Sequence, residues 1–170
     1  MSFLSKTIRI AQALAFSAAV VGSGAARAEI SPAVGEPILT IDGSVSSTDG
    51  FKLDMDSLLK FEPEVFQTST IWTEGNVTFT GVPLKTLIEA AGATGTTVVA
   101  EALNGYAVEL PIAELEDKAP IIAYLIDGKT FSRRDKGPLW VVYPYDSEDR
   151  YKTETIYAYS IWQLHRLTIK

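Results

Sequence analysis

With 21 acidic against 15 basic side chains and no cysteine among its 170 residues, the chain is acidic and has no thiol. The negative balance argues against nucleic acid or anionic lipid as partners. The missing cysteine excludes thiolate catalysis, iron–sulfur clusters, disulfides and every cysteine-based zinc site.

Lys6 and Arg9 precede an apolar run from Ile10 to Val21, broken by Gln12 and Ser17, and Ala26-Arg27-Ala28 follows. A basic start, a short apolar stretch and an A-x-A site predict a signal peptide over 1–28, cleaved on export to the periplasm. An uncleaved anchor is the other outcome of such a segment, but the run is shorter than the ~20 residues that span a bilayer. The mature chain is then 29–170. Loss of Lys6, Arg9 and Arg27 takes the formal charge from −6 to −9. Its 142 residues (170 less 28) suit one domain with its own core. No later segment is long and apolar enough to insert in a membrane.

Ile38 to Ile41 predicts a strand turned by Asp42-Gly43, and Asp49-Gly50 marks a second turn. Asp54 caps a helix over Met55 to Phe61, stopped by Pro63. Val65 to Trp72 is β-branched and aromatic and predicts a strand; Thr73-Glu74-Gly75-Asn76 is a loop, and Val77 to Thr80 alternates as a strand. Gly81-Val82-Pro83-Leu84 opens a helix with Leu84, Leu87, Ile88 and Ala91 on one face, ended by Gly92. A strand over Thr96 to Ala100 leads to Asn104-Gly105, which predicts a hairpin turn with positive φ at both residues, and then to a strand from Tyr106 to Leu110. One or two helical turns follow over Pro111 to Asp117, then an apolar strand from Ile121 to Ile126 turned by Asp127-Gly128. Pro138 to Pro144 is a buried strand, Asp146 to Thr155 a polar loop, and Trp162 to Ile169 a closing strand with an irregularity midway. Strands outnumber the short helices, so the fold class is α+β on a mixed or mainly antiparallel sheet.

Lys129, Arg133, Arg134 and Lys136 place four of the mature chain's twelve basic residues within eight positions, at the mouth of the Pro138–Pro144 strand. Such a loop either presents cations to a small ligand or keeps a hairpin tip soluble. Trp72, Tyr106, Trp140 and Tyr143 fall at strand ends, where flat side chains stack on a planar heterocycle or serve the core. Asp146, Glu148 and Asp149 lack the alternation and glycine of a calcium loop. The single histidine, His165, cannot by itself build a metal site.

Three blocks together resemble the molybdopterin-binding domain of the sulfite oxidase family. They are Trp72-Thr73-Glu74-Gly75 with Phe79-Thr80-Gly81-Val82-Pro83-Leu84-Lys85-Thr86-Leu87-Ile88; Asn104-Gly105-Tyr106-Ala107-Val108-Glu109-Leu110-Pro111; and Ala123-Tyr124 and Asp127-Gly128 joined to Arg134-Asp135-Lys136-Gly137-Pro138-Leu139 and Val141-Val142-Tyr143-Pro144. The likeness covers roughly Ile38 to Ile169 and implies the sulfite oxidase-like molybdopterin-binding fold over 29–170. It departs where the family's enzymes carry a cysteine that binds molybdenum: the corresponding stretch here is Gln67-Thr68-Ser69-Thr70-Ile71. Ser69 or Thr70 would offer a hard hydroxyl, a poorer ligand for this metal. Trp140 stands where the family has a second arginine, and Lys136 where it has a histidine.

The resemblance therefore implies one of the family's small exported, cysteine-free members: a non-catalytic periplasmic protein that binds a pterin-type ligand non-covalently, without molybdenum. On that view Trp72, Tyr106, Trp140 and Tyr143 supply stacking surfaces. Glu74 and Asp135 are the candidate carboxylates for the ring's donor edge, Arg134 the cation for an acceptor or a side-chain oxygen, and Lys136 completes the ligand-binding set. The expected partner is the periplasmic domain of a membrane sensor. The alternative is a molybdopterin-dependent oxidoreductase or a subunit of one.

Overall fold

The computed structural model describes residues 29–170, and the signal segment predicted over 1–28 lies outside the described residues. Alternation of buried and outward side chains builds two sheets. The first contains β1 (Leu39–Gly43), β2 (Phe51–Leu53), β5 (Thr97–Ala102), β6 (Ala107–Pro111) and β9 (Leu164–Ile169) in the order β2-β1-β9-β5-β6. The pairing of β1 with β9 is parallel; the other pairings in this sheet are antiparallel. The second sheet contains β3 (Glu64–Ser69), β4 (Asn76–Pro83), β7 (Ile121–Ile126) and β8 (Trp140–Val142) in chain order, antiparallel throughout. Three short helices, α1 (Met55–Leu58), α2 (Leu84–Ala90) and α3 (Glu154–Tyr159), complete an α+β domain.

Between the sheets lies a core in which Leu39, Ile41, Leu53, Phe79, Leu84, Leu87, Ile121, Trp140 and Leu167 are fully buried. The sheets are sewn together beside β8: Val141 N donates to Ile161 O (2.9 Å), Leu164 N to Leu139 O (3.0 Å), and Trp140 forms a bridge with Trp162. That seam fixes residues 160–164 against the second sheet and positions one wall of the site described below.

Several local expectations change. The helix expected to open at Gly81 begins at Leu84, because Gly81 and Val82 continue β4 beside β7. A Cβ at Gly81 would lie 2.2 Å from Ile122 O, so the close strand approach at this bulge requires glycine. The helix after Asp54 is one turn, Met55–Leu58, shorter than expected. Its cap is as expected: Asp54 accepts from Ser57 N at 2.8 Å, and also from Val34 and Gly35, tying the leader to the fold.

At Asn104-Gly105 only Gly105 has positive φ (81°), and Gly105 N donates to Ala102 O while Ala102 N donates to Tyr106 O. This is a three-residue hairpin with a left-handed glycine. The two-residue turn with positive φ at both positions is Asp127-Gly128, at 49° and 74°. Residues Pro111 to Asp117 contain one 3₁₀ turn, Ile112–Glu114. The expected polar loop from Asp146 to Thr155 contains a 3₁₀ turn (Asp149–Tyr151) and the start of α3, whose cap Thr153 accepts from Ile156 N. The expected irregularity in the closing strand is a bulge at His165: Arg166 faces Glu101 and Leu164 faces Ala102.

Candidate ligand cleft

An aromatic cleft of about 320 Å³ opens between the β3–β4 loop, the β5–β6 hairpin and α3. Trp72, Tyr106, Tyr157 and Trp162 supply its flat walls, and Ala102, Asn104 and Ser160 its small and polar ones. Trp72 is the hub. Its ring meets Trp140 (5.8 Å, 68°), Tyr157 (5.8 Å, 90°) and Trp162 (5.7 Å, 80°) edge-on. Edge-to-face packing is the favoured aromatic geometry and fixes each ring's orientation.

Beneath the cleft, Trp140 is fully buried, packed on Phe79 (5.5 Å, 88°), with its indole N–H donated to Ser160 O at 3.1 Å. The Ser160 hydroxyl accepts from Tyr145 Oη (2.6 Å) and donates to Ile156 O (2.7 Å). Every polar group in this floor thus has a partner, as burial demands. Burial holds the Tyr145 phenol far above its usual pKa, an effect partly offset by the bond to Ser160.

The loop that carries Trp72 is latched by one carboxylate. Ser69 N donates to Asp146 Oδ2 (2.6 Å), Asp146 N donates to Thr68 Oγ1 (3.0 Å), and Lys152 Nζ lies 3.3 Å from Asp146 Oδ1. Within the loop, Trp72 N donates to Thr70 Oγ1 at 3.0 Å. The Ser69 N–H is the main reason that the Asp146 carboxyl is held down to about 2, with Lys152 contributing. A carboxyl depressed from ~3.9 stabilises the folded state fully above that value and ceases to do so as pH falls through its folded pKa. Tryptophan emission is therefore expected to change between about pH 4 and pH 2 as the latch releases. Asp146→Asn should abolish that step while leaving the rest of the acid transition.

The basic turn stands beyond Trp140. Residues Arg133–Asp135 form a 3₁₀ turn closed by Lys136 at φ 75°. Gly137 follows with its Cα packed on Phe131: a Cβ there would lie 2.0 Å from Phe131 O. The turn is bound to the start of β9, since Gln163 N donates to Lys136 O (2.9 Å) and Gln163 Nε2 to Arg133 O (2.7 Å). Lys136 Nζ lies 5.9 Å from the Trp140 ring centroid, within cation–π range. Among the described ion pairs, none uses Lys129, Arg133, Arg134 or Lys136, whereas Lys85, Lys118, Arg150, Lys152, Arg166 and Lys170 all have carboxylate partners.

Trp72 and Tyr106 thus share one cleft. Trp140 is fully buried and bears on the cleft through Trp72 and Trp162. Glu74 is exposed on the Trp72 loop; Arg134 and Asp135 are exposed on the basic turn, where Asp135 accepts from Ser132 Oγ at 2.7 Å. Tyr143 faces a different cavity, on the other side of α3. Asn104, Tyr157, Ser160 and Trp162 are among the cleft residues absent from the expected set. Thr153 as a cap before Glu154-Thr155-Ile156-Tyr157 was the available signal for the helix that carries Tyr157.

Comparison with protein families matches residues 38–146 to the oxidoreductase molybdopterin binding domain. The chain belongs to this family. No curated protein matches it. The cleft of this molybdopterin-binding domain draws Trp72, Ala102, Asn104 and Tyr106 from the matched region, and Tyr157, Ser160 and Trp162 from the segment after it.

The residues present do not fit a thiolate-bound molybdenum centre. The chain has no cysteine, and among the described residues no three His, Asp or Glu side chains converge on a metal position. At the stretch where the family's enzymes place their cysteine, the Thr68 hydroxyl and the Ser69 N–H are committed to Asp146. The cleft itself offers aromatic walls and few polar atoms.

Proposed function

We propose that the chain is a periplasmic binding protein for a pterin-type ligand, without catalytic chemistry of its own, and that it reports ligand to the periplasmic domain of a membrane sensor. The observation that carries this is the aromatic cleft of Trp72, Tyr106, Tyr157 and Trp162 in a molybdopterin-binding domain that has no cysteine. A planar heterocycle entering there replaces water on two aromatic faces. Its polar edge would be read from the rim, for which Glu74, Asp135, Arg134 and Lys136 are the charged candidates. Charged hydrogen bonds are worth ~1.5–3 kcal/mol each, so two of them with stacking reach micromolar affinity. The sensor contact is supported by exposed Ile71, Leu103 and Tyr106, which sit on the same two loops as the cleft's Trp72 and Asn104. Export is supported by the segment 1–28, and recovery of a mature chain starting at Glu29 from a periplasmic extract checks it.

Titration of the mature protein with oxidised and reduced pterins is the direct test. At a hundredfold excess over Kd the ligand is expected to add ~2.7 kcal/mol of stability, read as a rise in Tm. No shift across the panel would sink the proposal. Stoichiometric molybdenum in protein purified from its native compartment would favour the oxidoreductase instead.

A further inference from the structure

On the other face of α3 lies a second cavity, of about 350 Å³, walled by the rings of Tyr143, Tyr151 and Tyr159 and by Glu114 and Glu116. One half of it already displays a mode of binding. The Arg150 guanidinium carbon sits 4.7 Å from the centre of the Tyr151 ring, and its nitrogens bond Glu116 and Glu148. A cation over a tyrosine face with carboxylates around it is a favourable arrangement. The other half, formed by Tyr143, Tyr159 and Glu114, repeats those components, and none of the described cations pairs with Glu114.

Tyr143 carries the second observation. It is only 5% exposed, and the hydroxyls of Tyr145 and Tyr151 are taken up by Ser160 and by Arg150 and Glu116, while that of Tyr143 is bonded by none of the described residues. Yet among the described residues no side-chain oxygen is both enclosed and unpartnered. The Tyr143 hydroxyl is therefore not sealed in the core, and Tyr143 lines the cavity. Burial, then the neighbouring tyrosines and Glu114, hold its pKa far above the usual value, so it stays a neutral phenol with a lone pair to offer. The charge that selects a ligand is Glu114's.

We propose that this cavity is a second binding site, selective for a small organic cation such as a guanidinium or primary ammonium group, held by the Glu114 carboxylate and the Tyr143 hydroxyl against the ring of Tyr159. The site is independent of what occupies the aromatic cleft. Isothermal titration of the mature protein with methylguanidinium, against neutral methylurea, tests it. Methylguanidinium is expected to bind saturably in the millimolar range that so few atoms allow, weakening with added salt, and methylurea is expected not to bind. Glu114→Gln and Tyr143→Phe should each weaken binding about tenfold, whereas Tyr106→Ala, in the other cavity, should leave it unchanged. Tyr143→Phe removes a single oxygen, and an unchanged Tm shows that it folds. Equal binding of methylurea, no saturable binding of methylguanidinium, or unchanged affinity in either variant would overturn the assignment.

Discussion

Trp140→Ala is expected to lower the unfolding free energy by about 3–5 kcal/mol, measured as a shift in urea midpoint. Domains of this size have only ~5–15 kcal/mol in all, so the variant should be partly unfolded at 37 °C or close to it. Three things are lost together. The ring is fully buried and packs on Phe79, Trp72 and Trp162 at 5.5, 5.8 and 6.3 Å, so its removal leaves a cavity that rigid strands cannot close. Its indole N–H leaves Ser160 O without that donor. The bridge between Trp140 and Trp162, which helps join the sheets, loses its side-chain packing. Trp140→Phe keeps much of the volume and forfeits the hydrogen bond, and should cost roughly 1–3 kcal/mol. If Trp140→Ala proves as stable as the parent, the core described between the sheets is wrong at its centre.

Tyr106→Ala should do the opposite: little to stability and much to binding. Tyr106 is 52% exposed, and only its backbone makes a local bond, its N–H donating to Asn104 Oδ1 at 3.0 Å. Surface changes of this kind usually stay within about ±0.5 kcal/mol. A stacked planar ligand, however, loses ~1–3 kcal/mol when one aromatic face is removed, which is roughly five- to hundredfold in Kd. Fluorescence titration of the variant with whichever pterin binds the parent measures this directly. Unchanged affinity at unchanged Tm would place the ligand outside the aromatic cleft.

The sequence made the β3–β4 hairpin and the turn after β7 legible, because β3 and β4 follow one another across a polar loop and Asp127-Gly128 turns β7. It did not show that β4 pairs with β7 across the two strands of the other sheet that lie between them. The order of the first sheet was not legible. Its pairing of β1 with β9 joins residues such as Thr40 and Arg166, and no local pattern encodes so distant a partner. The same holds for the cleft. Trp72 and Tyr106 could be singled out from their positions beside loops, but Tyr157 and Trp162 reach the cleft only through α3 and the seam at Ile161. Glu154 to Tyr159 was hidden because a six-residue helix with Thr155, Ile156 and two tyrosines has weak intrinsic propensity, and packing decides it. Tyr143 illustrates the converse. Two residues before Tyr145, which packs against Trp72 and Tyr157, it follows a strand whose neighbours are all buried, yet it faces a separate cavity.

The last strand among the described residues, β9, is also the middle strand of its sheet. Until it arrives, β1 with β2 and β5 with β6 are two ribbons with nothing between them, and two-stranded ribbons are at best marginal in water. Completion of this sheet therefore waits for β9 to be made, and a chain that stops short of Leu164 cannot hold it. Trp162 and Ser160 lie just before β9, so the wall of the cleft is completed in the same late step. The cleft is thus whole only once β9 has taken its place between β1 and β5.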